Sequence, residues 1–228
     1  MTVGDEIGLW EALYTTRAMR RMRPDPVPLD VQARIMDAAV RSPSGGDSQP
    51  WRFILVDDPE VKAQLAGPYR EAVDMLWRGH YADQLEAARQ SPDEASSRSF
   101  IKLQASVQHL ADNFESIPLL LFAFSRNDRD GGSIFPAVWS AMLAARAQGV
   151  GGVITNALDV FRPDTTKTVL DVPPDRGWKL AATVAMGYPL GRWGVAPRRP
   201  AHEVCFRNGW GRDPGFTMSG PLWGPEPV

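Results

Sequence analysis

The chain has 228 residues, enough for one sizeable core, and its 20 glycines and 20 prolines make it loop-rich yet short of a disordered composition. With 27 acidic against 25 basic residues the formal charge is -2, which argues against a general nucleic-acid coat, because phosphate backbones need a basic surplus. One cysteine, Cys205, excludes an internal disulfide framework and a multi-cysteine metal site, and the three histidines (His80, His109 and His202) stand at no metal-ligand spacing.

The first residues lack the basic region and long apolar stretch of a secretory signal. The longest apolar run, Ile117 to Phe124, is broken by a proline and far shorter than the ~20 residues a membrane span requires. A cytoplasmic protein is expected, with Cys205 a small buried hydrophobe.

In chain order, Asp5 to Met19 reads as a helix, with Ile7, Leu9, Trp10, Leu13 and Tyr14 on one broad face. Arg17, Arg20, Arg21 and Arg23 then cluster at the end of that helix. Three prolines between Pro24 and Pro28 forbid helix there. A second helix starts at Pro28 or Leu29 and ends before Ser42-Pro-Ser-Gly-Gly-Asp, a dense loop signal. Trp51 to Val56 reads as a strand and Glu60 to Ala66 as a short helix. Tyr69 to Ser99 suggests a helix pair with a mobile middle near Ser91-Pro-Asp. Ile101 to Phe114 is helical, striped by Leu103, Val107, Leu110 and Ala111. Pro118 to Phe124 has the composition of a buried strand, Phe135 to Gln148 that of an apolar helix capped by Gly149, and Val153-Ile-Thr that of a short strand. Trp178 to Met186 is the last core strand. Beyond Leu190 the chain turns basic, proline-bracketed and aromatic. A tail carrying Trp210, Phe216 and Trp223 would be an exposed apolar liability if free, so residues 209–228 read as an arm packed on a partner subunit, following a domain over 1–208.

Four segments are candidates for chemistry. The arginine cluster offers forked donors for phosphate or a planar carbonyl, or else a solvated helix terminus facing its dipole. Ser42-Pro-Ser-Gly-Gly-Asp-Ser-Gln lets backbone approach a flat, amide-edged ligand, or is a bare connection. Gly149-Val-Gly-Gly offers backbone N–H groups, or only a helix cap and turn; it lacks the Gly-x-Gly-x-x-Gly arrangement of a dinucleotide site. Pro197-Arg-Arg-Pro supplies cations, or an exposed basic turn. No serine-hydrolase elbow, phosphate-loop or zinc-protease motif occurs. An enzyme with this residue supply borrows its chemistry from a cofactor.

Taken together, these segments resemble the FMN-dependent nitroreductase family. Arg17-Ala-Met-Arg-Arg-Met followed by Pro26-Val is similar to its Arg-Ser-x-Arg-x-Phe and Pro-Val opening. Ser42-Pro-Ser-Gly-Gly-Asp-Ser-Gln-Pro-Trp-Arg-Phe resembles its Ala-Pro-Ser-x-x-Asn-x-Gln-Pro-Trp-x-Phe block, the most specific match. Phe135-Pro-Ala-Val to Gly149 resembles the family's long dimer helix, Ala185-Met-Gly-Tyr-Pro its penultimate strand and Arg198-Arg-Pro-Ala-His-Glu its closing basic motif.

The resemblance implies an α+β fold, a central and mostly antiparallel sheet wrapped by helices, in an intertwined homodimer with FMN at each interface. By the same token Arg17 lies near the flavin phosphate and Arg20 at the N1–C2=O edge. Arg198 or Arg199 completes the phosphate clamp. Pro43, Ser44 and Gly45 approach from the other subunit, with Asp47 and Gln49 on the same loop, and Ile154 and Thr155 give backbone contacts beside N5 and O4. Ala18 stands where the family commonly has Ser, Asp47 where Asn is usual, and Trp139-Ser140 where Gln-Asn is usual. An ionised Asp47 near a flavin would oppose reduction, so it is expected to face a backbone N–H or an arginine. Trp77, Tyr81 and Phe100 are either a lid or ordinary core. The implied reaction is ping-pong transfer from NADPH or NADH to a nitroaromatic, quinone or similar flat acceptor. The alternatives are reductive dehalogenation or flavin fragmentation on the same fold, or a module that holds a flavin or deazaflavin without turnover.

Overall fold

β2 (Leu119–Ser125) is buried along its whole length, and the fold is built around it. A computed structural model describes residues 7–224. β2 lies between β1 (Trp51–Val56) and β4 (Lys179–Gly187), and β3 (Gly151–Thr155) pairs with the far side of β4; all pairings are antiparallel. Side chains of a strand alternate between faces. Leu120, Phe122 and Phe124 therefore enter one apolar layer with α3 (Pro59–Met75), α5 (Ala95–Asp112) and α7 (Ala157–Phe161). Leu119, Leu121 and Ala123 enter the other, with α2 (Leu29–Ala39) and α6 (Ile134–Ala147). This is the helix-wrapped antiparallel sheet expected of the α+β class. α4 (Ala82–Gln90) packs on α5, and α8 (Pro163–Val169) follows α7; neither α7 nor α8 was legible in the sequence.

The first helix is shorter than its pattern. α1 spans Leu9–Thr15, and Asp5 lies outside the described residues. The Thr15 and Thr16 hydroxyls donate back to the Glu11 and Ala12 carbonyls, each at 2.7 Å, and the backbone turns extended at Thr16. The arginine cluster is thus not at a helix end. It lies in an extended stretch docked on β3 and on the segment after β4: Ala18 bridges Gly152, Met19 N–H donates to the Gly152 carbonyl at 3.1 Å, and Met22 bridges Pro189. The glycines make this approach possible. A Cβ on Gly151 would sit 3.1 Å from Met19, and one on Gly187 only 2.9 Å from Pro118 and 3.0 Å from Met22. Gly151 and Gly152 therefore belong to the strand and serve chain packing instead of forming a ligand loop. Gly149, with φ +73°, does end α6.

The helix read as Glu60 to Ala66 continues through Pro68 to Met75, because Leu65, Ala66, Tyr69, Ala72 and Val73 keep one face buried. It passes into a wide turn, Leu76–His80, closed by the Tyr81 N–H bonding the Leu76 carbonyl at 3.1 Å. From Leu190 to Gly224 the only regular piece is the single turn Ala201–Glu203. Cys205 lies in that segment, where no core reaches, and is exposed instead of buried.

Candidate active site

The extended stretch after α1 runs between two cavities. The larger, about 680 Å³, has Arg20, Tyr69, Ile154 and Thr155 on one side and Trp77, Tyr81 and Leu103 on another. The smaller, about 450 Å³, is bounded by Tyr14 and Thr16, by Trp139 of α6 and by Val195–Ala201 with Arg198 and Arg199.

Arg20 is half-buried. Its guanidinium has no carboxylate partner and no hydrogen-bond acceptor within reach among the described residues. Burial draws its pKa below the ordinary arginine value, with the neighbouring Tyr69 phenol acting the other way. An arginine nevertheless stays charged. Beside it the Tyr69 hydroxyl and the Thr155 Oγ1 lie 3.0 Å apart, and burial pushes the Tyr69 pKa up despite the Thr155 hydrogen bond and the Arg20 cation. Asn156 closes the rim. Its amide donates to the Ala181 carbonyl at 2.9 Å, where β4 slips register against β2, and to Asp159 at 3.2 Å. Asp159 keeps one carboxylate oxygen buried without a partner, and burial pushes its pKa up to about 6 against the Asn156 hydrogen bond.

Trp77, Tyr81 and Phe100 form one aromatic cluster, with ring centroids 5.4 Å (Trp77–Tyr81), 6.0 Å (Trp77–Phe100) and 5.7 Å (Tyr81–Phe100) apart. Trp77 is buried, yet it and Tyr81 face the large cavity, so the same residues are core and cavity wall.

Of the residues singled out in the sequence, Arg20, Ile154 and Thr155 meet at the large cavity, and Arg198 and Arg199 at the small one. Arg17 is exposed and donates to the Arg192 carbonyl at 2.8 Å; Ala18 is exposed beside it. Pro43, Ser44, Gly45, Asp47 and Gln49 border neither cavity. Their loop is pinned at its start by the Ser42 and Ser140 hydroxyls, 2.8 Å apart, and by the Gly45 N–H donating to Ser133 at 3.4 Å. Among the described residues Asp47 meets neither a backbone N–H nor an arginine: it accepts from the Gln49 amide at 3.0 Å, on a stretch where Asp47 (φ 50°) and Gln49 (φ 44°) both have left-handed backbone. Tyr69 and Asn156 were missed. For Tyr69 the signal was present, since the apolar spacing of α3 continues across Pro68.

A family model described as the Nitroreductase family matches residues 13–188. The chain belongs to the nitroreductase family. Among curated relatives, 5,6-dimethylbenzimidazole synthase of Rhodospirillum rubrum is 29% identical over 222 residues, covering 88% of this chain and 94% of that protein. NADH dehydrogenase of Thermus thermophilus is also 29% identical, over 208 residues, with 86% and 93% covered. Among solved structures, an oxidized iodotyrosine deiodinase bound to FMN and 3-iodo-L-tyrosine superposes with a TM-score of 0.66 at 20% identity, covering 89% of this chain and 99% of that one. Nitroreductase-family enzymes are oxidoreductases, but relatives this distant differ in name and reaction. Within the described residues no helix is long and apolar enough to cross a membrane, and no cluster of potential metal ligands occurs.

Proposed function

We propose that the protein is an FMN-dependent oxidoreductase that takes electrons from NADPH or NADH and passes them to a flat electrophile such as a nitroaromatic or a quinone. The observation that carries this is Arg20, a half-buried cation without an anionic partner on the floor of a cavity walled by aromatic side chains. Such a site is incomplete without an electron-rich guest, since a desolvated charge is costly unless paired. The residues fit a flavin. A volume of about 680 Å³ lies within the usual range for small-molecule sites, and Trp77 and Tyr81 give its walls flat apolar surface. Arg198 and Arg199, with Arg17 nearby in sequence to Thr16, supply cations suited to a phosphate.

FMN, when bound, supplies hydride acceptance and donation. The protein's part is electrostatic and steric. Arg20 holds positive charge where negative charge develops, an arrangement that costs no reorganisation during reaction. Trp77 and Tyr81 exclude water and present flat apolar surface to the acceptor. Asn156, locked to the β4 bulge, fixes the rim. In this reading a second copy of the chain lends Pro43, Ser44 and Gly45 to the site, which accords with a pinned loop that borders neither cavity of its own chain. Asp47, tied to Gln49, is held by a neutral amide. Trp210, almost fully exposed on its own chain, packs on the same partner.

Purified protein tests this directly. Yellow protein that NADPH or NADH bleaches and a nitroarene or quinone recolours is the expected result. Colour without bleaching would make it a flavin-holding module, recolouring only by a halophenol would place it with dehalogenating enzymes, and failure to take up FMN would overturn the reading. Arg20→Ala should slow flavin reduction on the order of 100-fold with the fold intact; unchanged reduction would remove the role given to Arg20.

A further inference from the structure

We infer that Tyr69 is a positioning residue: it fixes the Thr155 hydroxyl as a hydrogen-bond donor aimed into the large cavity, beside the Arg20 guanidinium. This rests on the flavin reading above and adds to it a second, uncharged donor and the residue that orients it.

Hydrogen-bond direction decides the role of Tyr69. Tyr69 is 0% exposed, stacked on Phe114 with ring centroids 4.2 Å apart, and its hydroxyl has one partner, Thr155 Oγ1 at 3.0 Å. Either oxygen can donate in principle. If Thr155 donated, the phenolic proton, out of reach of solvent at the cavity wall, would have no acceptor among the described residues, at the full cost of a buried unmade hydrogen bond. If Tyr69 donates, nothing is left over. Thr155 is only half-buried and lines the cavity, so its own proton has somewhere to go. No other acceptor competes for that proton: Thr155 has no further hydrogen bond among the described residues. Thr183, paired with it across β3 and β4, has its hydroxyl buried with no partner at all. The chain of donors therefore runs from Tyr69 to Thr155 to the cavity. The β-branched side chain reinforces this, because a threonine in a strand is confined to few rotamers. Arg20 and Thr155 then present two donors to one guest, a charged one and a neutral one. Both bind an electron-rich rim more strongly once that rim has gained electrons.

The test compares oxidised and reduced FMN on the holoprotein by spectroelectrochemical titration, with FMN affinity read separately from fluorescence quenching on the apoprotein. Tyr69→Phe keeps the ring and removes the donor. It should lower the preference for reduced over oxidised FMN on the order of tenfold, which for a two-electron couple is about 30 mV. Thr155→Val should give a shift at least as large, and Thr155→Ser should restore most of the wild-type potential. Adding Tyr69→Phe to Thr155→Val should move the potential no further, an outcome that a merely structural Tyr69 would not give. Should Tyr69→Phe fail to fold, the contrast between Thr155→Val and Thr155→Ser decides. Bound FMN whose potential ignores these changes, or a Tyr69→Phe shift that persists undiminished without the Thr155 hydroxyl, overturns the inference and leaves the flavin reading standing. A wild-type protein that binds no FMN overturns both.

Discussion

The floor of the large cavity and the C-terminal strap are held by different physics. The floor is backed by the sheet. Tyr69 and Phe114 beneath it are fully buried, and β2 behind them is sealed on both faces. The strap from Leu190 onward has almost no core of its own, and Trp210 is 93% exposed. Discrete anchors hold it: the Ala196 N–H on the Tyr14 carbonyl at 2.9 Å, Arg17 on the Arg192 carbonyl, Trp223 against Tyr14 at 5.7 Å, and Trp193 over the Arg146 guanidinium at 4.1 Å. A packed layer resists change in all directions, whereas a set of anchors resists only where each one pulls. Residues proposed to tune a flavin sit on the first kind of support, and residues proposed to grip a phosphate sit on the second.

Four substitutions would sharpen that contrast or break it. Phe122→Ala, in the central strand, should destabilise most, by about 3–5 kcal/mol, because it opens a void that the layers cannot close; chemical denaturation measures it. Arg146→Ala should follow at about 2–3 kcal/mol. Arg146 is buried and donates to Thr15 at 2.8 Å and Glu11 at 2.7 Å besides carrying Trp193, so one side chain ties α6, α1 and the strap. Limited proteolysis of this variant should cut the strap before the core.

Asp159 gives a dependence on pH. Its folded pKa, about 6, lies above the ordinary 3.8, so the folded state holds its proton more tightly. That contribution is complete below pH 3.8 and is lost as pH rises through about 6. Asp159→Asn should abolish this slope and raise stability at pH 7.5 by about 1 kcal/mol, after allowance for solvent screening. Paired unfolding curves at pH 4.5 and 7.5 check it. Trp223→Ala should cost least, roughly 0.5 kcal/mol. A loss there comparable to that of Phe122→Ala would show that the strap is a second core and not an anchored ribbon.

Much of the fold was legible because its four strands are short apolar runs bounded by Pro, Gly or Asp, and α2 and α6 carry clear helical spacing. Where reading failed, a local pattern yielded to something outside it. The helix expected over Glu60 to Ala66 runs through Pro68 to Met75, because an apolar face continues past the proline. α1 ended early because two threonine hydroxyls turn back on the helix, an effect that apolar periodicity does not register. Arg20, Ile154 and Thr155 were named from the family resemblance, and they do meet at one cavity. Tyr69, proposed to orient Thr155, belongs to no motif. The spacing of α3 accounts for its burial, but its partner is set by a contact between α3 and β3, which no window of sequence contains. Cys205 was read as buried from residue type alone, but burial is a property of neighbours, and the strap provides none there.

The docking of the Arg17–Met22 stretch on the glycines of β3 and β4 also bears on the order of assembly. Ala18 and Met19 meet Gly152 only after nearly the whole intervening chain has been laid down, and closing so long a loop is entropically costly until β3 and β4 have paired to receive it. The place of the guanidinium at position 20 thus depends on a contact of long sequence separation, and it can be no better fixed than the pairing of β3 with β4.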